Sequence, residues 1–217
     1  MSRVGGRELI SKIQLMILNH IKNNAKSYLF LLMAFVIGVS AGAFTVNGLS
    51  KIQRDDLTNY FEGFIQLLGN QRVDSTELFK IALFENIKIV LVLWILGATI
   101  IGIPFIFALV GIRGFISGFS SGFVIQAMGA KGILFTLFAL LPKEVIIIPC
   151  VIALGVNGIN FSLGIIKSKS IRHISKESLK SRTISYCVVT LFYSCFIFGG
   201  VLVEAYVTPI LIRIIST

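Results

Sequence analysis

The chain has 217 residues, of which 55% are hydrophobic and only 14% charged. A water-soluble domain carries roughly a quarter charged residues, so this composition excludes one and places most of the outer surface against lipid. The net charge of +10 would suit a nucleic-acid binder, but the basic residues concentrate in two short blocks that lack the interleaved aromatics on which bases stack, so no nucleic-acid partner is expected.

The apolar runs are continuous rather than alternating, which favours helices over a barrel. At roughly 20 apolar residues per crossing of a ~30 Å hydrocarbon core, the expected fold is all-α: one polytopic membrane domain with about five transmembrane helices. Residues 1–27 set Leu9, Ile10, Ile13, Met16, Ile17, Leu18 and Ile21 at helical spacing among Arg7, Lys12, Asn19, Lys22 and Lys26. That pattern predicts an amphipathic, basic helix on the cytoplasmic membrane surface. The first span is expected over residues 28–46. Ala41-Gly42-Ala43 resembles a signal-peptide cleavage site, but a leader of about 27 residues and an apolar run above about 15 exceed signal-peptide norms, so the expectation is an uncleaved span.

Residues 47–86 form a polar insert that mixes Lys51, Arg54, Arg72 and Lys80 with Asp55, Asp56, Glu62, Asp74, Glu77 and Glu85. Within it Leu57, Tyr60, Phe61, Phe64, Ile65 and Leu68 recur at three and four, which predicts an amphipathic helix capped by Asp55 or Asp56 and ended by Gly69-Asn70. Its apolar face is a candidate partner surface. Asp74 followed by Glu77 reads as a capping box opening a helix that runs on into a second span over 87–109, with Pro104 able to kink it. A third span is expected over 112–128, then a turn at Gly129-Ala-Lys-Gly132. The apolar stretch 133–166 is long for one helix and short for two. Pro142 removes a backbone donor and disfavours helix at Leu141, so the expectation is a short re-entrant or interfacial helix over 133–141, a break at Pro142-Lys143-Glu144, and a fourth span over 144–166. The block 167–182 is basic, the fifth span covers 184–207, and 208–217 is a short external tail.

Charge fixes the sidedness. Arg3, Arg7, Lys12, Lys22, Lys26 and Lys167, Lys169, Arg172, Lys176, Lys180, Arg182 make up eleven of the twenty basic residues, with only Glu8 and Glu177 beside them. Basic loops next to spans are held in the cytoplasm. Four crossings separate the two blocks, so both lie inside, the insert lies outside, and the C-terminus is external.

Gly114, Gly118 and Gly122 repeat every four residues in the third span, and Gly38 and Gly42 do so in the first. Such stripes let another backbone approach closely, either within the chain or in a homodimer. Arg113 reads as a cytoplasmic turn residue between the second and third spans. Lys143 and Glu144 are charges near hydrocarbon, which are costly and are paired, wetted or functional; they read either as an interfacial pair or as the lining of a polar cavity at a broken helix, as in transporters. Glu204 reads as interfacial. Cys150, Cys187 and Cys195 lie in apolar stretches without metal-like spacing, and only His20 and His173 are histidines, both in basic segments. No phosphate loop or zinc motif is present. An enzyme is therefore not expected, and neither is a cofactor or a metal.

Arg-Gly-Phe-x-x-Gly-Phe at 113–119, Gly122, and Leu-Leu-Pro followed by Pro149 at 140–149 resemble the stage II sporulation protein M family, as do the five-span layout, the basic amphipathic start and the external insert. The family often carries His-Gly directly after the first of these prolines and an acid two residues before the second, where this chain has Lys143-Glu144 and Ile147. The resemblance implies a scaffold in the membrane that engulfs the forespore, assembled with stage II sporulation proteins D and P, which cleave peptidoglycan. The competing expectation is a permease subunit built around Pro142 and Pro149. Single cysteines at Gln71 and Ser175 in a cysteine-free background are expected to react with an impermeant thiol reagent from outside and inside respectively; equal labelling of the two would remove the five-span arrangement.

Overall fold

The computed structural model describes residues 18–19, 21–70, 75–170 and 176–211. Most of the amphipathic segment 1–27, Asp74, residues 171–175 of the second basic block and residues 212–217 lie outside that description. Seven α-helices are described: α1 Ala25–Asn47, α2 Lys51–Asn70, α3 Ser75–Gly97, α4 Gly102–Met128, α5 Ala130–Phe135, α6 Leu141–Ser170 and α7 Lys176–Leu202. Ala25–Asn47, Gly102–Met128, Ala130–Ile166 and Lys180–Leu211 are long and apolar enough to cross a membrane. With large exposed side chains such as Ile37, Phe44, Ile101 and Leu191 on those helices, this is an all-α membrane protein.

α1 and α4 are held together by their glycines. A Cβ at Gly38 would run into the Gly111 carbonyl, one at Gly42 into the Phe115 carbonyl, one at Gly114 into the Phe35 carbonyl and one at Gly118 into the Val39 carbonyl. Both glycine stripes recognised in the sequence are thus filled within one chain, backbone against backbone, as small residues allow in lipid. The contacts ascend together along both helices, so α1 and α4 run parallel. Two parallel neighbours require the intervening chain to travel back along the bundle, and α3 does this. At its far end Gly97 faces Gly158 of α6, and the Tyr186 hydroxyl of α7 donates to the Trp94 carbonyl at 2.8 Å. The buried Ser162 hydroxyl of α6 lies 2.7 Å from the Gly97 carbonyl at the end of α3 and 2.9 Å from that of Thr99 in the turn beyond it, so it braces the α3–α4 connection against α6.

Four sequence expectations are corrected. The boundary between the second and third spans is not at 110–111. The chain turns at Ala98–Ile101 and α4 then runs unbroken from Gly102 to Met128, because Pro104 falls in the first turn of a helix, where its missing N–H costs nothing. Residues 133–141 are not a separate re-entrant helix, and Pro142 makes no break: α5 continues into α6 through a π-helical turn, Thr136–Leu140. Phe138, the residue whose carbonyl the Pro142 ring would strike in an α-helix, lies within this wider turn. The same device recurs in α7, where the π-turn Val203–Val207 contains Ala205, four residues before Pro209, and carries the helix on to Leu211. The start of the tail is therefore helical. Finally, α2 is capped not by Asp55 or Asp56 but by a box in which Ser50 N–H donates to Gln53 Oε1 at 3.0 Å and Gln53 N–H to Ser50 Oγ at 3.4 Å.

The buried core, with Leu31, Leu93, Ile106, Val110, Ile147, Val151, Leu154 and Val156, draws on α1, α3, α4 and α6. The glycine seam gives a direct test. Gly42→Ala and Gly118→Ala are each expected to cost about 1–3 kcal/mol by forcing backbones apart, whereas Gly199→Ala, which meets nothing within 4 Å, is expected to be neutral in the same detergent melting assay.

Candidate functional site

The polar centre is built by three helices that converge where the π-turns lie. Arg113 projects from α4, eleven residues from Gly102 and fifteen from Met128, so about 17 and 22 Å from its ends at the α-helical rise. It is a mid-helix residue rather than a turn residue. Its Nη2 lies 3.5 Å from Oε1 of Glu144, with the side chains 15% and 14% exposed. Lys143, one residue earlier on α6, meets Glu204 in direct contact across the bundle. Glu204 belongs to the π-turn of α7 and faces into the bundle. Thr208 stands beside both turns, its hydroxyl 3.4 Å from the Ala139 carbonyl and 3.5 Å from that of Val203.

Arg113, Lys143, Glu144 and Glu204 line a cavity of about 150 Å³ together with Glu85 and Asn86 of α3 and Ser117, Ser120 and Ser121 of α4. Among the described residues, Asn86 Oδ1, Arg113 Nε, Ser117 Oγ and Glu144 Oε2 are buried with no hydrogen-bond partner. Donors and acceptors are mixed, so a few water molecules, at ~30 Å³ each, suit the space. The inner boundary is dry: Val110 and Ile147 are 1% and 0% exposed, and Leu31, Ile106 and Val156 continue the apolar packing below them. The site can hold charge and solvate it locally.

A second cavity, of about 380 Å³, lies above the first and shares Lys143 and Glu204 with it. Its far wall is α2. Phe61 turns inward and packs edge-on against Phe123 and Phe135, with ring centroids 6.0 and 5.8 Å apart. Leu57 also lines this space, whereas Tyr60 is 78% exposed at its edge. The proposed partner face of α2 is thus partly spent on its own bundle. The side chains of Phe64 and Ile65 lie outside the described residues.

A family model described as stage II sporulation protein M matches residues 14–209. The chain belongs to the stage II sporulation protein M family. It is a sporulation-related membrane protein; no curated protein and no solved structure matches it. In this family member the sequence reading brought Arg113, Lys143 and Glu144 to notice, and the structure joins them in one site. Pro142 and Pro149 stand in a continuous helix beside it, and Gly38, Gly42, Gly114, Gly118 and Gly122 face the α1–α4 seam instead. The reading missed Glu204, Glu85, Asn86 and Ser117 as members. One signal was available: Arg113, Ser117 and Ser120 are spaced four and three, a polar stripe on one face of an apolar helix. Glu204→Gln or Lys143→Met alone is expected to cost about 3–5 kcal/mol by leaving its partner buried and unpaired. The Lys143→Met/Glu204→Met double variant is expected to cost less than the sum of its single variants in reversible unfolding from mixed micelles.

Proposed function

We propose that this stage II sporulation protein M family member is a non-enzymatic membrane scaffold that anchors and recruits peptidoglycan hydrolases during engulfment, with stage II sporulation proteins D and P as its partners. The observation that carries this reading is the closed inner side of the polar centre. A conduit needs polar groups along its whole length, whereas here the charges sit in two mutual pairs above a packed apolar layer. Paired charges of this kind fix how helices meet, which is what a platform for other membrane proteins requires. In the proposed arrangement α1, α3, α4, the α5–α6 helix and α7 cross the membrane that surrounds the forespore, alternating in direction. The basic ends lie in the cytoplasm, and α2 with the α4–α5 turn forms the outer docking surface, where Tyr60 and Ile52 remain exposed.

A permease is the second reading, favoured by the enclosed cavity and its unpartnered polar atoms. Affinity purification from sporulating cells separates the two. The scaffold is expected to bring down a cell-wall hydrolase and to leave proteoliposomes inert in substrate uptake. Absence of any hydrolase together with uptake would reverse the conclusion.

A further inference from the structure

A cavity of about 570 Å³ opens between α6 and α7, with Asn24 before the start of α1 on its rim. It is separate from the polar centre: Asn160 in its wall stands seventeen residues beyond Lys143 on α6, about 25 Å at the helical rise. Helix ends gather at this level. α1 begins at Ala25, α6 ends at Ser170 and α7 begins at Lys176, and Ser162 braces the turn between α3 and α4. The ends of spanning helices mark where hydrocarbon gives way to headgroups and water.

The walls change character with depth. Asn157 closes the inner end, and its amide nitrogen is spent on α7, 3.3 Å from the Tyr186 carbonyl and 3.5 Å from the Thr190 hydroxyl. Phe161 stacks on the Tyr186 ring with centroids 4.4 Å apart, and Leu163 and Val189 extend this apolar flank. Donors collect at the outer end. Arg182 is the charged residue of the lining, no carboxylate lines the cavity with it, and among the described residues it makes no ion pair. α6 steadies its guanidinium: Nη1 donates to the Gly164 carbonyl at 3.4 Å, and a Cβ on Gly164 would stand 3.1 Å from that same nitrogen. The other guanidinium N–H groups are left for a ligand. Asn160, Ser181 and Ser185 add an amide and two hydroxyls, none of them committed to a hydrogen bond among the described residues.

A planar cationic fork ringed by uncommitted donors, with no acid in the lining, is suited to phosphate oxygens. The apolar flank beside it suits a phosphate that carries acyl chains, and basic pockets between spanning helices take anionic headgroups. We propose that the α6–α7 cavity binds one anionic phospholipid, its phosphate on Arg182 with Asn160, Ser181 and Ser185 donating, and a chain along Leu163 and Val189. Lipid capture here requires neither the scaffold role nor a particular leaflet.

The probe is palmitoyl-oleoyl phosphatidylglycerol, titrated into the purified full chain in a nonionic detergent, with bound lipid counted by native mass spectrometry. One molecule per chain is expected to be retained, and phosphatidylcholine with the same chains is expected to bind more weakly. Arg182→Gln is expected to reduce phosphatidylglycerol affinity about tenfold, the loss of one charge-assisted contact. Arg182 is exposed, so this variant is expected to melt as the parent does in lipid-free detergent. Asn160→Leu repeats the reading from the other wall and is expected to weaken binding about threefold. Lys180→Gln removes the same charge from an exposed residue outside the lining and is expected to leave affinity unchanged. An equal loss in Lys180→Gln, which would mean diffuse attraction, would overturn the proposal. So would equal retention of phosphatidylcholine, unchanged affinity in Arg182→Gln or Asn160→Leu, or displacement of the lipid by inorganic phosphate at matched concentration, which would assign the site to a soluble anion.

Discussion

The arrangement depends on the close approach of α1 and α4. Lipid provides no hydrophobic force between helices, so association comes from dispersion and from backbone groups brought near one another. Glycines at Gly38, Gly42, Gly114 and Gly118 allow this by removing the atoms that would hold the helices apart. Because the seam runs parallel, its effect is topological as well as energetic: α3 must return along the bundle despite carrying Glu77, Lys80, Glu85 and Lys88. These charges are thereby carried alongside the other helices, and Asn86 is delivered to the polar centre.

That centre exists because two ion pairs share one low-dielectric space. An ion pair that leaves water repays its desolvation only when its geometry is good and its remaining polar atoms are satisfied. Lys143–Glu204 is hydrogen-bonded and meets the first condition; Arg113–Glu144 approaches only to 3.5 Å and leaves Arg113 Nε and Glu144 Oε2 unpartnered, which the hydratable cavity beside them can satisfy. Adjacent residues of α6 face different partners, Glu144 towards α4 and Lys143 towards α7. One turn of helix thus ties three elements together above the apolar core.

Much of this was legible in the sequence, and the exceptions have physical causes. Composition identified a membrane protein, and glycine spacing identified a close-packed seam, because each reports a local requirement. The partner of the seam was not legible, since small residues serve a neighbouring helix and a second copy equally well. Pro104 and Pro142 misled for one reason: a proline is disruptive only where its N–H is needed. At Pro104 the first turn needs none, and at Pro142 a π-turn relocates the carbonyl. Misplacing the 98–101 turn made Arg113 look like a loop residue, so its helical spacing to Ser117 and Ser120 went unused. The pairing of Lys143 with Glu204 spans 61 residues, and no local pattern encodes it.

The two π-turns set the rotational phase of the helices that carry Lys143 and Glu204. A π-turn amounts to one residue inserted into an α-helix, which rotates everything beyond it by about a third of a circle. Thr136–Leu140 and Val203–Val207 lie side by side, with Ala139 and Ala205 both fully buried. Loss of a residue from one helix would swing Lys143 or Glu204 away from the other while leaving its mate in place. A second loss in the other helix would turn the remaining partner away as well, so each turn by itself fixes the phase at which its helix presents its charge.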